Sequence, residues 1–178
     1  MSVHRMRSHR VEVIAPHGMV ATSQPLATQV GLDVLKRGGH AVDAAIAVNA
    51  MLGLVEPMSC GLGGDLSAIV RDAGAGNVVG LNGSGRAPKR MTRALFAQHG
   101  LDRIPDRGTL SWSIPGCVDG WFALHERFGR RPMSELLAPA IAYAESGFPV
   151  SPVIAAMWRQ AKTLLEADPG AATTFLVN

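Results

Sequence analysis

The sequence predicts an α+β fold in which antiparallel strands are covered by helices. The predicted elements run in the order helices, hairpin, helices, and no strand–helix–strand unit is repeated along the chain. Hydrophobic residues form 47% of the 178 residues, whereas charged residues form only 17%. This charge content lies below the usual share of about a quarter and argues against a disordered chain. Because aromatic residues are only 5%, we expect a core packed through small aliphatic side chains.

The size of the chain, 18.7 kDa, leaves room for one domain or for part of a larger one. Surface scaling gives about 8,300 Å² exposed in a compact fold, against about 27,000 Å² for the extended chain. We therefore expect that about 70% of the surface can be buried.

The first predicted elements are a short strand over Val11–Ile14 and a helix. Ser23 is expected to cap this helix, and Pro25 fits its first turn, where a missing amide hydrogen costs little. One face of the helix carries Leu26, Val30 and Val34. The run Lys36–Gly39 is expected to end it, since cations favour the negative helix end and glycine adopts the left-handed conformation.

The second helix is predicted to open at Asp43 and to run over Ala44–Val55. Its residues are apolar around nearly the whole circumference, so we expect it to be buried between layers. Glu56 and Pro57 close it, because the residue before a proline disfavours the helical conformation.

A β-hairpin is predicted next, with strands Leu66–Arg71 and Asn77–Leu81 joined by a glycine-bearing loop over Asp72–Gly76. The remaining predicted elements are a helix over Thr92–His99, a strand over Leu110–Ile114, helices over Pro115–Arg127, Ser134–Ser146 and Pro152–Leu165, and a turn over Asp168–Gly170.

The charge pattern is slightly basic, with a net charge of +3. Basic clusters lie at Arg5–Arg10, Arg86–Arg93 and Arg127–Arg131, but aromatic residues do not alternate with them, so we expect no nucleic-acid partner. The longest apolar stretch is too short to span a bilayer, so no membrane partner is expected. Residues 1–10 are predicted to be a flexible N-terminus without a secretory signal, and the expected location is cytoplasmic.

Other chemical motifs are incomplete. Cys60 and Cys117 form neither a disulfide framework nor a metal-ligand set, and we expect two buried, small apolar side chains. The six histidines have no metal-ligand spacing, so neither a metal nor a cofactor is expected. The cluster Gly61–Gly64 follows a helix and precedes a strand, the reverse of a phosphate loop, and is interpreted as a tight turn.

The strongest candidate site is the loop of residues 82–88, Asn-Gly-Ser-Gly-Arg-Ala-Pro. Gly83 and Gly85 present backbone amides on either side of Ser84, and Arg86 offers a planar fork for a carboxylate or carbonyl oxygen. Two interpretations are open from the residues alone. The loop either recognises an anion or is a structural turn with an exposed arginine.

Longer motifs resemble the γ-glutamyltransferase family, in consistent order and spacing from about Val11 onward. They are Gly18–Ala21, Ala27–Leu35, Gly38–Ala45, Glu56–Pro57, Gly61–Gly64, Gly85–Pro88, Ser113–Gly120, Gly129, Pro139–Ala140, Ala144 and Gly147–Val150. The resemblance implies part of an N-terminal-nucleophile hydrolase fold, an αββα sandwich of antiparallel sheets between helical layers, incomplete in this chain. Residues 1–178 are then a single segment from the N-terminal portion of the large subunit.

The resemblance also implies a reaction. In this family a precursor cleaves itself, and a threonine at the new end of the small subunit attacks an amide, with its own α-amine as base. The chain is expected to contain no catalytic residue, to supply scaffold and substrate-carboxylate recognition, and to be inactive alone. Its expected partners are a small amide substrate and the small-subunit portion of the same precursor, or another chain completing the sheet.

One departure from the family concerns the substrate. Classical γ-glutamyltransferases place an arginine two residues before the position of Arg86, and this sequence has Ser84 there. The variant resembles the branch that includes acylases and small-amide hydrolases. We expect Arg86 to bind the substrate carboxylate, with Ser84, Gly83 and Gly85 shaping the pocket. The alternatives are a non-catalytic interaction module that needs a partner chain, and a standalone hydrolase using Ser84 or Cys60.

Overall fold

The computed structural model describes residues 12–176, and the predicted flexible N-terminus lies outside this range. The described elements, in chain order, are α1 (Pro25–Lys36), α2 (Ala41–Val55), β1 (Leu66–Asp72), β2 (Asn77–Gly83), α3 (Arg93–Gln98), a short 3-10 helix (Thr109–Ser111), α4 (Cys117–Phe128), α5 (Met133–Ser146), α6 (Pro152–Glu166) and α7 (Pro169–Phe175).

The core is formed around α2, which packs against α1, α4 and α5. Ile46 and Met51 are fully buried, which confirms the prediction of a buried second helix. Small residues let the helices approach closely: a Cβ added at Gly31 of α1 would lie 2.6 Å from a methyl group of Val48 in α2. Over residues 12–176, no helix is long and apolar enough to cross a membrane.

The two strands form an antiparallel hairpin in which Leu66 pairs with Gly83 and Asp72 pairs with Asn77. This confirms the predicted hairpin. The side chains alternate between two faces, and those facing the helices pack against the core. On the other face Ile69 is 83% exposed and Val78 is 65% exposed. The sheet is therefore covered by helices on one face within the described residues.

The exposed surface is larger than the sequence predicts. The chain exposes 13342 Å², against the roughly 8,300 Å² expected of a compact protein of this size. About half of the extended-chain surface is buried, so the predicted 70% is wrong. The physical reason is that the core is a helical layer with a two-stranded sheet on it, and the outer sheet face and several apolar side chains have no covering layer among residues 12–176.

Two predicted details at the start of the chain are wrong. Glu12–Ile14 are irregular rather than a strand, and Val11 lies outside the described residues. Ile14 is 87% exposed, so this segment has no sheet partner to order it. The cap of α1 is Gln24 rather than Ser23, whose hydroxyl donates instead to the Glu56 carboxylate at 2.5 Å.

The start of α2 is one turn earlier than predicted. His40 is the N-cap and accepts a hydrogen bond from the amide of Val42, while the Asp43 carboxylate accepts from the amide of His40 at 2.9 Å. Asp43 is thus the third helical residue of a capping box, not the opening residue.

Two predicted elements in the second half of the chain also differ from those in the structure. Leu110–Ile114 is not a strand: it contains the end of the 3-10 helix and then an irregular segment. Asp168–Gly170 is not an isolated turn, because Asp168 caps α7 by accepting from the amide of Ala171 at 2.7 Å. The Asp-Pro-Gly signal is shared by turns and helix starts.

Candidate functional site

The candidate loop is positioned by the hairpin. Because Leu66 and Gly83 are paired, Asp65 and Ser84 leave the sheet at the same end. The irregular segment before α4 runs alongside the loop, since the amide of Ile114 donates to the carbonyl oxygen of Arg86 at 3.0 Å. The site therefore joins three parts of the chain that are distant in sequence.

The glycines of this site allow backbone segments to touch. A Cβ added at Gly85 would overlap the carbonyl oxygen of Ile114, and one at Gly116 would overlap the carbonyl oxygen of Gly83. A Cβ at Gly83 itself would lie 3.0 Å from the carbonyl oxygen of Leu66. Gly83 and Gly85 are thus required by close packing, which sets the shape of the loop.

Two amides of the loop are already engaged. The amide of Ser84 donates to the side-chain oxygen of Asn82 at 2.9 Å, and the amide of Gly85 donates to Asp65 at 3.1 Å. Ser84 and Arg86 are both exposed. Arg86 forms no ion pair with any carboxylate within residues 12–176. The loop thus exposes the side chains of Ser84 and Arg86, while the amides of Ser84 and Gly85 are engaged by Asn82 and Asp65.

Asp65 is a site residue that the sequence reasoning missed. Its Oδ1 accepts from the amide of Gly85 at 3.1 Å and from the hydroxyl of Ser113 at 3.0 Å. The hydrogen bonds from Gly85 and Ser113, with a smaller one from Ser84, hold the pKa of Asp65 below its ordinary value. The available sequence signal was an acidic residue directly after the Gly61–Gly64 turn and directly before a strand.

Comparison with known families identifies the family of this chain. Residues 27–178 match the family model described as gamma-glutamyltranspeptidase. The chain belongs to this family. The resemblance inferred from the motifs is therefore confirmed.

Relatives within this family include both hydrolases and acylases. The chain is similar to a glutathione hydrolase proenzyme of Bacillus subtilis (strain 168), with 37% identity over 80% of the chain and 25% of that protein. It is also similar to the acylase ACY 1 proenzyme of Pseudomonas sp. (strain SE83), with 40% identity over 89% of the chain and 30% of that protein. The chain spans a quarter to a third of these relatives and corresponds to their N-terminal part.

Solved structures establish the fold. The gamma-glutamyltranspeptidase of Helicobacter pylori matches with a TM-score of 0.84 and 29% identity, over 92% of this chain and 47% of that one. The cephalosporin acylase of Bacillus halodurans matches with a TM-score of 0.85 and 43% identity, over 93% of this chain and 31% of that one. The described residues are thus a part of the N-terminal-nucleophile hydrolase fold, as predicted.

The two cysteines of this family member are free thiols beside the site. Both line a cavity of about 360 Å³ that Asp65 also borders. Cys117 is buried, as predicted, and Cys60 is half-buried. Burial raises the pKa of both thiols; Glu56 raises that of Cys60 further, and Cys60 and Asp65 raise that of Cys117. Raised thiol pKa values disfavour the nucleophilic thiolate, so this environment does not support the Cys60 hydrolase alternative.

A hydrolase that used Ser84 as nucleophile would need a histidine base beside it, and neither His17 nor His40 is hydrogen-bonded to Ser84 in the described part of the chain. The ring of His40 caps α2, and His17 is an exposed residue before α1. Across residues 12–176, no group of three or more histidine, cysteine, aspartate or glutamate side chains could hold a metal ion.

The internal threonines have local structural roles. Thr22 donates to the carbonyl oxygen of Gln24 at 2.7 Å and shares a hydrogen bond with Thr28. Thr92 caps α3 by accepting from the amide of Leu95 at 3.2 Å. The nitrogen of each of these threonines is part of a peptide bond, so none offers a free α-amine as base.

Proposed function

We propose that this chain is the N-terminal part of an amidohydrolase or acyltransferase of the gamma-glutamyltranspeptidase family. In the complete protein, the threonine Oγ of a self-processed small subunit attacks the carbonyl carbon of a small amide. The carbon–nitrogen bond breaks, the amine leaves with a proton, and an acyl ester forms on the threonine. Water or a second amine then takes the acyl group. The chain described here supplies the scaffold and a loop that recognises a carboxylate on the substrate.

The support for this proposal is the family membership and the part of the relatives that is matched. The Bacillus subtilis and Pseudomonas relatives are both named proenzymes, and the chain corresponds to their N-terminal part. Processing of a proenzyme yields two chains, so a partner subunit is part of the proposal.

The single observation that carries the recognition role is the presentation of Arg86. Its guanidinium is exposed and unpaired within the described residues, at the end of a loop whose backbone is fixed by Asp65 and Ile114. A guanidinium in a fixed frame forms paired hydrogen bonds with a carboxylate. The amides of Ser84 and Gly85 are engaged within the chain, so the proposed contact with the anion is assigned to the Arg86 side chain.

The test is the variant Arg86→Ala in the self-processed protein, assayed on two amides with the same acyl chain. One amide carries a free carboxylate and the other carries its methyl ester. Charge-assisted hydrogen bonds from an exposed arginine correspond to about a tenfold rise in KM for the carboxylate substrate. We expect little change for the ester. The matched control is Arg90→Ala, which removes another exposed cation of the same segment and should leave both KM values unchanged.

An unchanged KM for the carboxylate substrate in Arg86→Ala, with self-processing intact, would remove Arg86 from this role. The polypeptide of residues 1–178 by itself is expected to give no turnover. Turnover by a preparation free of other chains would contradict the assignment of the nucleophile to the small subunit.

A second candidate is supported by the exposed surface. The chain leaves 13342 Å² exposed, including Trp112 at 65% and Phe122 at 52%. Apolar surface of this kind favours a partner chain. The alternative is therefore a non-catalytic module that functions only by pairing. Size-exclusion chromatography together with the amidase assay separates the two: a complex with the second subunit that shows no amidase activity supports the module, and an active complex supports the enzyme.

A further inference from the structure

Asp65 joins segments that are far apart along the chain. Its acceptor oxygen Oδ1 binds the amide of Gly85, 20 residues away, and the hydroxyl of Ser113, 48 residues away. Both bonds lie at the long end of the normal range for hydrogen bonds. The residue directly before it, Gly64, accepts at its carbonyl oxygen from the amides of Gly116 and Cys117, at 3.1 and 2.9 Å. Residues 64 and 65 therefore hold both the candidate loop and the start of α4.

The backbone contacts around Asp65 leave little room for the loop to move inward. Gly85 lies against the carbonyl oxygen of Ile114, and Gly116 lies against that of Gly83. These close contacts resist a closer approach of the segments, but they do not prevent the loop from moving away from residues 113–117. The attraction that keeps the segments together comes from hydrogen bonds: those to Asp65 and the one from Ile114 to Arg86. Loss of the carboxylate would remove the bonds at Asp65 and leave the bond from Ile114 to Arg86, so the loop that carries Ser84 and Arg86 would be held less firmly.

We propose that Asp65 is a positioning residue, which holds the Ser84–Arg86 loop in the geometry that binds the substrate carboxylate. The expected effect on KM rests on the proposed function. The claim that Asp65 holds the loop in place rests only on the contacts described above.

The experiment compares Asp65→Ala and Asp65→Asn in the self-processed protein. Asparagine keeps a side-chain acceptor oxygen for the Gly85 amide, whereas alanine removes it. The matched control is Asp72→Ala at the opposite end of β1, where an exposed carboxylate accepts from the amides of Gly74 and Ala75 at 2.9 and 3.1 Å. Hydrogen–deuterium exchange of residues 82–88 and 113–117 is measured together with KM and kcat for the carboxylate-bearing amide.

We expect Asp65→Ala to raise both the exchange rate of the Gly85 amide and KM about tenfold, with kcat changed less than about threefold. In Asp65→Asn, KM should return most of the way to the wild-type value. Asp72→Ala should accelerate exchange only in the hairpin loop and leave KM unchanged. Unaltered Gly85 exchange in Asp65→Ala, or a KM in Asp65→Asn as high as in Asp65→Ala, would overturn the inference.

Two further outcomes keep the inference separate from the proposed function. Wild-type protein that cleaves no amide would contradict the proposed function, yet the exchange measurement would still decide whether Asp65 holds the loop. Where Asp65→Ala does not yield folded protein, Ser113→Ala replaces it, because this variant removes one of the two partners of the carboxylate and keeps the charge. Because this variant keeps the bond from Gly85 to Asp65, exchange is read at the Ile114 amide, which should exchange about threefold faster; no rise there would overturn the inference.

Discussion

The buried carboxylate of Asp43 provides the sharpest prediction on stability. Its side chain is fully buried, and it accepts from the amide of His40 at 2.9 Å and from those of Arg130 and Arg131 at 3.0 and 3.4 Å. It thereby connects the start of α2 to the segment between α4 and α5. Burial by itself would raise the pKa of Asp43, but the amides of Arg130, His40 and Arg131 and the charge of His40 outweigh it, so this pKa is lowered.

The expected loss of stability in Asp43→Ala follows from these contacts. Two of the three hydrogen bonds have good length, and each charge-assisted bond contributes about 1.5 kcal/mol or more. Asp43→Ala removes them and leaves partly buried amides without partners, so we expect a loss of about 3 kcal/mol in the free energy of unfolding. With a urea m value of about 2 kcal/mol/M, the unfolding midpoint should fall by about 1.5 M.

The assay is urea unfolding of the purified protein followed by circular dichroism, with Asp33→Ala as control. Asp33 lies on α1 and accepts from Gln29 at 2.9 Å, but its side chain is 38% exposed. We expect this control to cost no more than about 0.5 kcal/mol. If Asp43→Ala destabilises the protein no more than Asp33→Ala does, the reasoning about buried amide partners is refuted.

The pH dependence of Asp43 has a definite sign. A lowered folded-state pKa means that the unfolded state binds the proton more readily. The stabilisation is therefore present above the ordinary value of 3.8 and is lost as pH falls through the folded-state value. Asp43→Asn should reduce this acid destabilisation. An acid unfolding curve with the same slope in both proteins would contradict it.

Two other predictions concern contacts between segments. Gly85→Ala places a methyl group against the carbonyl oxygen of Ile114 and should destabilise the protein by about 1–3 kcal/mol in urea unfolding, whereas Gly80→Ala, with open space around it, should be nearly neutral. Glu56→Gln replaces a carboxylate whose pKa is lowered chiefly by the Ser23 hydroxyl, and should lower stability by about 1 kcal/mol at neutral pH, with a smaller loss in acid; an equal loss at both pH values would contradict this assignment.

The parts of the fold that the sequence predicted are those with strong local signals. The hairpin has two short apolar runs around a glycine-bearing loop, and α2 has a long apolar run, interrupted only by Asn49 over Ala44–Val55, that is closed by Glu56 and Pro57. The errors lie where a local signal has two meanings. The residues Asp168–Gly170 can start either a turn or a helix, and α7 forms because Asp168 finds the amide of Ala171.

The loop of the candidate site also stands out in the sequence by a local signal, and its role stays a prediction. The loop of residues 82–88 is visible as a glycine-rich segment with one arginine, and the family motif places it. Asp65 was missed because its partners are Gly85 and Ser113, which local patterns cannot bring together. The irregular Leu110–Ile114 segment was mistaken for a strand because its one backbone bond with the loop, from Ile114 to Arg86, depends on the tertiary fold.

The candidate site contains glycines at close backbone contacts and exposed polar side chains, and substitutions at these two kinds of residue should have different effects. Its frame consists of backbone contacts at Gly83, Gly85 and Gly116, where any side chain would collide with a carbonyl oxygen or press on one. Its exposed side chains, Ser84 and Arg86, hold no other part of the described chain in place by side-chain ion pairs. Replacing Arg86 removes no ion pair that positions the loop within residues 12–176, whereas replacing Ser84 also removes its hydrogen bond to Asp65. A lower substrate affinity in Arg86→Ala would therefore indicate a lost contact with the substrate. The same loss in Gly85→Ala would indicate a changed loop geometry.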